Sequence, residues 1–181
     1  MDKFNAFDLI DNHGYIDTAD CAKLVRRALK ANFPGVKFSV RSSVYSMGSS
    51  INVGWTDGPT ASAVDAVVRC YSGSGFDGMI DLKYNKARWL LSDGTVAGTV
   101  SGGTTGSVPA VNDPQPLGGR LVDFMADYII TNRHLSDAAK ATVQADLEAK
   151  YGQSFEPNTW DTGFQCYGDQ VIWRAARAMS F

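Results

Sequence analysis

Apolar residues return at helical spacing in the first part of the chain and at every second position soon after. Cys21, Leu24, Val25, Ala28 and Leu29 follow i, i+3, i+4, i+7 and i+8, which predicts an amphipathic helix. Thr18 is its expected cap, Asp20 suits the first turn, and Asn32 with Phe33-Pro34-Gly35 ends it. Its polar face carries Lys23, Arg26, Arg27 and Lys30. Val36, Phe38 and Val40 then alternate with Lys37, Ser39 and Arg41, so 36–43 reads as a strand with one buried face. Ile51, Val53 and Trp55 alternate in the same way over 50–56. The connection between the two strands reads as longer than a tight turn. Asp57-Gly58-Pro59-Thr60 turns the chain, and Val64, Val67, Val68 and Tyr71 mark a second helix that Ser72-Gly73-Ser74-Gly75 stops. Both helices must cover one face of the strand pair, because an isolated hairpin is marginally stable.

The remaining pattern is less regular. Residues 1–17 form a short arm whose aromatics pack on the main body around a turn at 11–14. Stretches 88–92 and 95–100 flank Asp93-Gly94, a strong hairpin signal. Pro114 and Pro116 mark the passage to a helical third. There Leu121, Val122, Met125, Tyr128 and Ile129 predict a helix over 119–132. A further helix over 136–151 is capped by Ser136 and followed by Gly152, and one over 169–179 is capped by Asp169. The expected fold class is α+β: a helix–strand–strand–helix unit with an antiparallel sheet extended by a hairpin. Residues 1–112 form this domain, and 113–181 form a helical extension packed on it.

Composition narrows the function. The 181 residues are 44% hydrophobic and 11% aromatic, enough for a real core, and the net charge is -2. That balance argues against a general polyanion binder and against an extreme DNA mimic. No apolar run approaches the roughly 18–20 residues that span a bilayer. The N-terminus lacks the basic-then-apolar pattern of a signal peptide. Cys21, Cys70 and Cys166 are odd in number and widely spaced, which reads as reduced thiols in a cytoplasmic protein.

Candidate chemistry is sparse. His13 and His134 have no second His or Cys at ligand spacing, so no metal or other cofactor is expected. A carboxylate-bound ion at Asp77 and Asp81 competes with their use as turn formers. No Gly-x-Ser-x-Gly is present, and the glycine-rich stretch 102–107 lacks the lysine of a phosphate loop. No catalytic residue is assigned. Lys23, Arg26, Arg27 and Lys30 with the outward Lys37 and Arg41 form a basic set, and Asp57, Asp65, Asp77 and Asp81 an acidic one. A molecule with two such faces suits docking, where charge sets orientation and rate. The binding candidates are therefore Lys23, Arg26, Arg27, Lys30, Lys37, Arg41, Asp57, Asp77 and Asp81.

Lys37-Phe38-Ser39-Val40, Ser50-Ile51-Asn52-Val53-Gly54-Trp55, Asp57-Gly58-Pro59 and Phe76-Asp77-Gly78-Met79-Ile80-Asp81 occur in that order. Over about residues 21–84 the chain resembles the large polyvalent protein-associated domain 29 family. The resemblance implies a protein of phages or mobile genetic elements, often accompanied by functions that blunt host defences. It carries no catalytic residue set. The expected function is stoichiometric binding, with counter-defence against a host protein or ribonucleoprotein defence complex, such as a CRISPR effector, as the leading form. The alternatives are a nucleic-acid-binding module using the basic helix and strand face, and an enzyme with dispersed residues such as Asp77, Asp81 or Cys166.

Overall fold

The apolar stripe of the first helix and the buried face of the strand pair meet at the centre of the molecule. The computed structural model describes residues 4–181. A 3-10 turn, Ala6–Leu9, leads to β1 (Tyr15–Ile16) and α1 (Thr18–Asn32), and a second, Arg69–Tyr71, follows the second helix. Then come β2 (Ser39–Tyr45), β3 (Gly48–Thr56), α2 (Ala61–Val68), β4 (Ser74–Asp77), β5 (Leu82–Asn85), β6 (Ala87–Leu90) and β7 (Val96–Ser101). The chain continues through β8 (Val111–Asn112), β9 (Arg120–Phe124), β10 (Tyr128–His134), α3 (Asp137–Tyr151), β11 (Trp160–Asp161), β12 (Cys166–Tyr167) and α4 (Gly168–Ala176). This is an α+β fold with a helical C-terminal part.

Three strands in the order β10-β3-β2 form the sheet beneath α1 and α2, and five in the order β1-β9-β6-β7-β8 form a second sheet. β2 and β3 are antiparallel, whereas β10 joins β3 in parallel, with Tyr128 opposite Ser50 and His134 opposite Thr56. β1 and β9 are also parallel. The expected helix over 119–132 is therefore corrected to two strands. Val122, Phe124 and Ala126 are buried at every second position, and each strand is held by a sheet neighbour. The helical part begins only at Asp137.

Local signals explain most boundaries. Asp17, not Thr18, caps α1 by accepting from the Asp20 N–H at 2.7 Å. The Thr18 hydroxyl instead donates to the Met125 carbonyl at 3.0 Å. Thr60 caps α2, Ser136 caps α3 as expected, and Gly152 ends α3 in the left-handed region at φ 68°. α4 has no side-chain cap, and Asp169 lies in its first turn. β2 and β3 run to a two-residue turn at Ser46-Met47, so the connection is a tight hairpin and not a long loop. At Asp93-Gly94 only Gly94 takes a positive φ, closing a three-residue turn between Leu91 and Thr95.

Two apolar clusters result. The larger packs Leu24, Val25 and Leu29 of α1 against Ile51, Val53 and Trp55 of β3, Val64 and Val68 of α2, and Val122 and Phe124 of β9. Each such side chain, fully buried, contributes about 1.5–3 kcal/mol. The smaller joins Val143 and Leu147 of α3 to Phe155, Cys166, Val171 and Ile172. Arg133 links the parts, donating to the Ala176 carbonyl at 2.9 Å and the Gly58 carbonyl at 3.0 Å. No helix among the described residues is long and apolar enough to cross a membrane.

Candidate functional site

Strand alternation separates the three-stranded sheet into a covered face and an open one. Ile51, Val53 and Trp55 point into the core beneath α1 and α2. Ser50, Asn52, Gly54 and Thr56 therefore point the other way. Register places Tyr128, Ile130, Asn132 and His134 of β10, and Ser39, Arg41, Ser43 and Tyr45 of β2, on that outward face. Tyr45, Tyr128 and Ile130 are exposed by 49%, 40% and 46%, and Lys83 Nζ lies over the Tyr128 ring at 5.9 Å from its centre. None of these positions is a carboxylate. Arg41 stands in the row formed with Asn52 and Ile130, and Lys37 lies with His134 and Phe181 around a shallow depression at one end.

At the hairpin end the face runs into a cleft of about 440 Å³ between β2–β3, β4–β5 and the β9–β10 link. Its centre is Asp127. One carboxylate oxygen accepts from the Ser74 hydroxyl at 2.7 Å and from Lys83 Nζ at 2.7 Å, and the other from the Ser49 N–H at 3.0 Å. The Asp127 N–H donates back to the Ser49 hydroxyl at 3.0 Å. Burial works against ionisation of this carboxyl, but Lys83, Ser74 and the Ser49 amide more than offset it and hold its pKa below the ordinary value. Gly48 is needed here, since a Cβ would lie 2.7 Å from the Asp127 carboxylate. Val44 and Met47, exposed by 76% and 90%, overhang the cleft at the hairpin tip.

The structure distributes the sequence-predicted residues unevenly. Lys23 pairs with Asp20 at 2.5 Å. Arg26 donates to the Val40 carbonyl at 2.7 Å, tying α1 to β2. Arg27 donates to the Asp93 carbonyl at 3.2 Å and lies over the Phe4 ring. Two of the four helix cations thus tie α1 to other elements, Lys23 pairs within the helix surface, and Lys30 remains exposed. Lys37 and Arg41 are exposed, with Arg41 on the open face.

The acidic set is mostly structural. Asp57, at φ 58°, accepts from the Ser136 N–H at 2.8 Å and so anchors the start of α3. Asp65 accepts from Thr131 at 2.8 Å and pairs with Arg69. Asp77 is 1% exposed and accepts from the Thr104 hydroxyl, from the Ser107 N–H and hydroxyl at 2.8 Å each, and from the Met79 N–H at 3.0 Å. The Thr104 hydroxyl, followed by the Ser107 and Met79 donors, holds its carboxyl well below the usual range. The glycine-rich 102–107 loop is thus wrapped around the protein's own carboxylate. Asp81 lies exposed at the β4–β5 turn with φ 50°.

The thiols stay inside. Burial pushes Cys21 up to about 12 and also raises Cys70, and Cys166 is buried in the smaller cluster. Among the described residues no group of three or more His, Cys, Asp and Glu is placed to hold a metal ion. Sequence reasoning missed Asp127, Lys83, Ser74 and Ser49. They come from four separate segments, and Asp127 lies inside the stretch read as a helix.

Comparison with curated proteins and with solved structures finds no match. The family model for large polyvalent protein associated domain 29 matches residues 16–136, from the end of β1 to just past β10. It therefore covers α1, the sheet beneath α1 and α2, the second sheet and the cleft, and reaches well past residue 84. The chain belongs to the large polyvalent protein associated domain 29 family, and with it to the proteins associated with phages and mobile elements.

Proposed function

We propose that the protein acts by binding, as a stoichiometric counter-defence factor whose target is a host defence complex such as a CRISPR effector. The observation that carries this reading is the uncovered face of β10-β3-β2, where Tyr45, Tyr128, Ile130 and Arg41 stand in solvent without a carboxylate among them. Exposed aromatics beside an arginine are the residue types that dominate binding energy at interfaces. Family membership supplies the setting, and the exposed Met47 at the hairpin tip adds an apolar side chain beside the face.

The polar groups that most resemble chemistry are engaged elsewhere. Asp77 is enclosed by its loop, Asp127 is paired with Lys83, and Cys166 is buried. The test is capture of the tagged protein from host cells carrying an active defence system, followed by titration of that system's activity. Saturation near one protein per complex, lost with Arg41→Glu, is the expected result. Full inhibition at a ratio far below equimolar overturns the reading.

A further inference from the structure

We infer that the open face of β10-β3-β2 takes single-stranded RNA. The inference rests on the reading above that this face is the contact surface, and it names what the face touches within the target complex. Three observations carry it. Arg41 midway along the outer strand β2 and Lys37 at one end are exposed cations on or beside a face none of whose strand positions is a carboxylate, so the local charge suits phosphate although the whole chain is at -2. Of the nearest acids, Asp127 is neutralised by Lys83 at 2.7 Å and the Asp57 carboxylate accepts from the Ser136 N–H.

The second observation is the pair of exposed rings. Tyr45 and Tyr128 lie on the two outer strands, about 12 Å apart at the backbone from two strand spacings and one two-residue step. Rings presented from a sheet are stacking platforms for unpaired bases, and stacking is tolerant of sequence. Third, Ser39, Ser43, Asn52 and Asn132 share the face, and among the described residues none of these side chains is engaged by the fold. Hydroxyls and amides of this kind give and accept hydrogen bonds to base edges and to the 2′-hydroxyl, which favours RNA over DNA. A double helix would not expose its bases to the rings, so the preferred form is single-stranded.

The experiment is fluorescence anisotropy of the full chain with a labelled single-stranded RNA of roughly 10 nucleotides, a DNA strand of the same sequence, and the RNA duplex. The RNA strand binds most tightly. Two phosphate contacts give a log–log salt slope of about -1.4, so affinity falls roughly sevenfold between about 50 and 200 mM salt. Arg41→Gln reduces that slope by about 0.7, and Tyr128→Ala weakens binding about 5- to 150-fold. Lys23→Gln, on the helix side, changes neither. Arg41→Gln alters an exposed side chain and keeps the test valid if Tyr128→Ala fails to fold. Absence of RNA binding at low salt, tighter binding of the DNA strand or the duplex, or indifference to both face variants overturns the inference. If capture at one protein per complex persists while RNA binding is absent, the RNA assignment alone fails. If RNA binds and no complex is captured, the counter-defence reading alone fails.

Discussion

Replacing Asp127 with alanine removes the single group that joins β3, β4, β5 and the β9–β10 link. Two donors are left without their acceptor, the Ser49 N–H and the Ser74 hydroxyl, in residues that are each 5% exposed. An unpaired buried donor costs about 1–3 kcal/mol, and the cleft lets water reach these two, so about 1–1.5 kcal/mol each applies. The Lys83 pair is partly exposed and adds less than about 1 kcal/mol. The sum is about 3 kcal/mol, equivalent to a fall of about 6–12 °C in Tm for a chain of this size. Urea unfolding followed by two independent probes measures it, provided the transitions coincide.

The pH dependence follows from the same contacts. Asp127 has its folded pKa below the ordinary carboxylate value of about 3.8, so its contribution is complete above that pH. The contribution is lost as pH falls through the folded value, and the alanine variant lacks this portion of acid destabilisation. Lys83→Met costs less than about 1 kcal/mol, because the exposed ion pair is the weakest of the three contacts. An Asp127→Ala variant within about 0.5 kcal/mol of the parent refutes the reasoning. So does a Lys83→Met variant that costs as much as the alanine.

Three other outcomes are expected. Gly73→Ala places a Cβ 1.8 Å from the Phe124 carbonyl oxygen, and the variant loses its cooperative melt or shifts it down by more than about 3 kcal/mol in calorimetry. Asp77→Ala frees the 102–107 loop, so limited proteolysis cleaves there first while the far-UV circular dichroism of the core persists. Phe155→Ala, at the centre of the smaller cluster, costs about 3–5 kcal/mol, and hydrogen exchange accelerates in α3 and α4 before it does in β3.

The elements that the sequence revealed are those whose burial follows one clean period. α1 buries Cys21, Leu24, Val25 and Leu29, and β3 buries Ile51, Val53 and Trp55, as their spacing requires. The stretch 119–132 failed because Leu121, Val122, Met125, Tyr128 and Ile129 also satisfy helical spacing. Alternation at Val122, Phe124 and Ala126 and the run Tyr128-Ile129-Ile130-Thr131 were the competing strand signal, and partners distant in sequence decided between them. The outward positions of Lys37 and Arg41 were legible from strand alternation. That Arg26 and Arg27 would be spent on the Val40 and Asp93 carbonyls was not, because a charged helix face looks alike whether it meets solvent or a neighbouring strand. The Asp127 cluster had no local signature, since its members meet only after four segments pack.

The parallel pairing of β10 with β3 sets an order of events during synthesis. Ser49 and Asp127, at the start of that pairing, are separated by 78 residues. At about 5–20 residues per second, the ribosome takes about 4–16 s to deliver Asp127 after Ser49. Through that interval the nascent chain holds a finished β2–β3 hairpin whose inner edge has no partner, the condition under which strands pair with the wrong chain. The matched family segment closes just past the residue that ends this exposure, His134. A chain halted before Tyr128 is thus an aggregation hazard, whereas one halted after residue 136 already carries both parallel strands that seal its sheets.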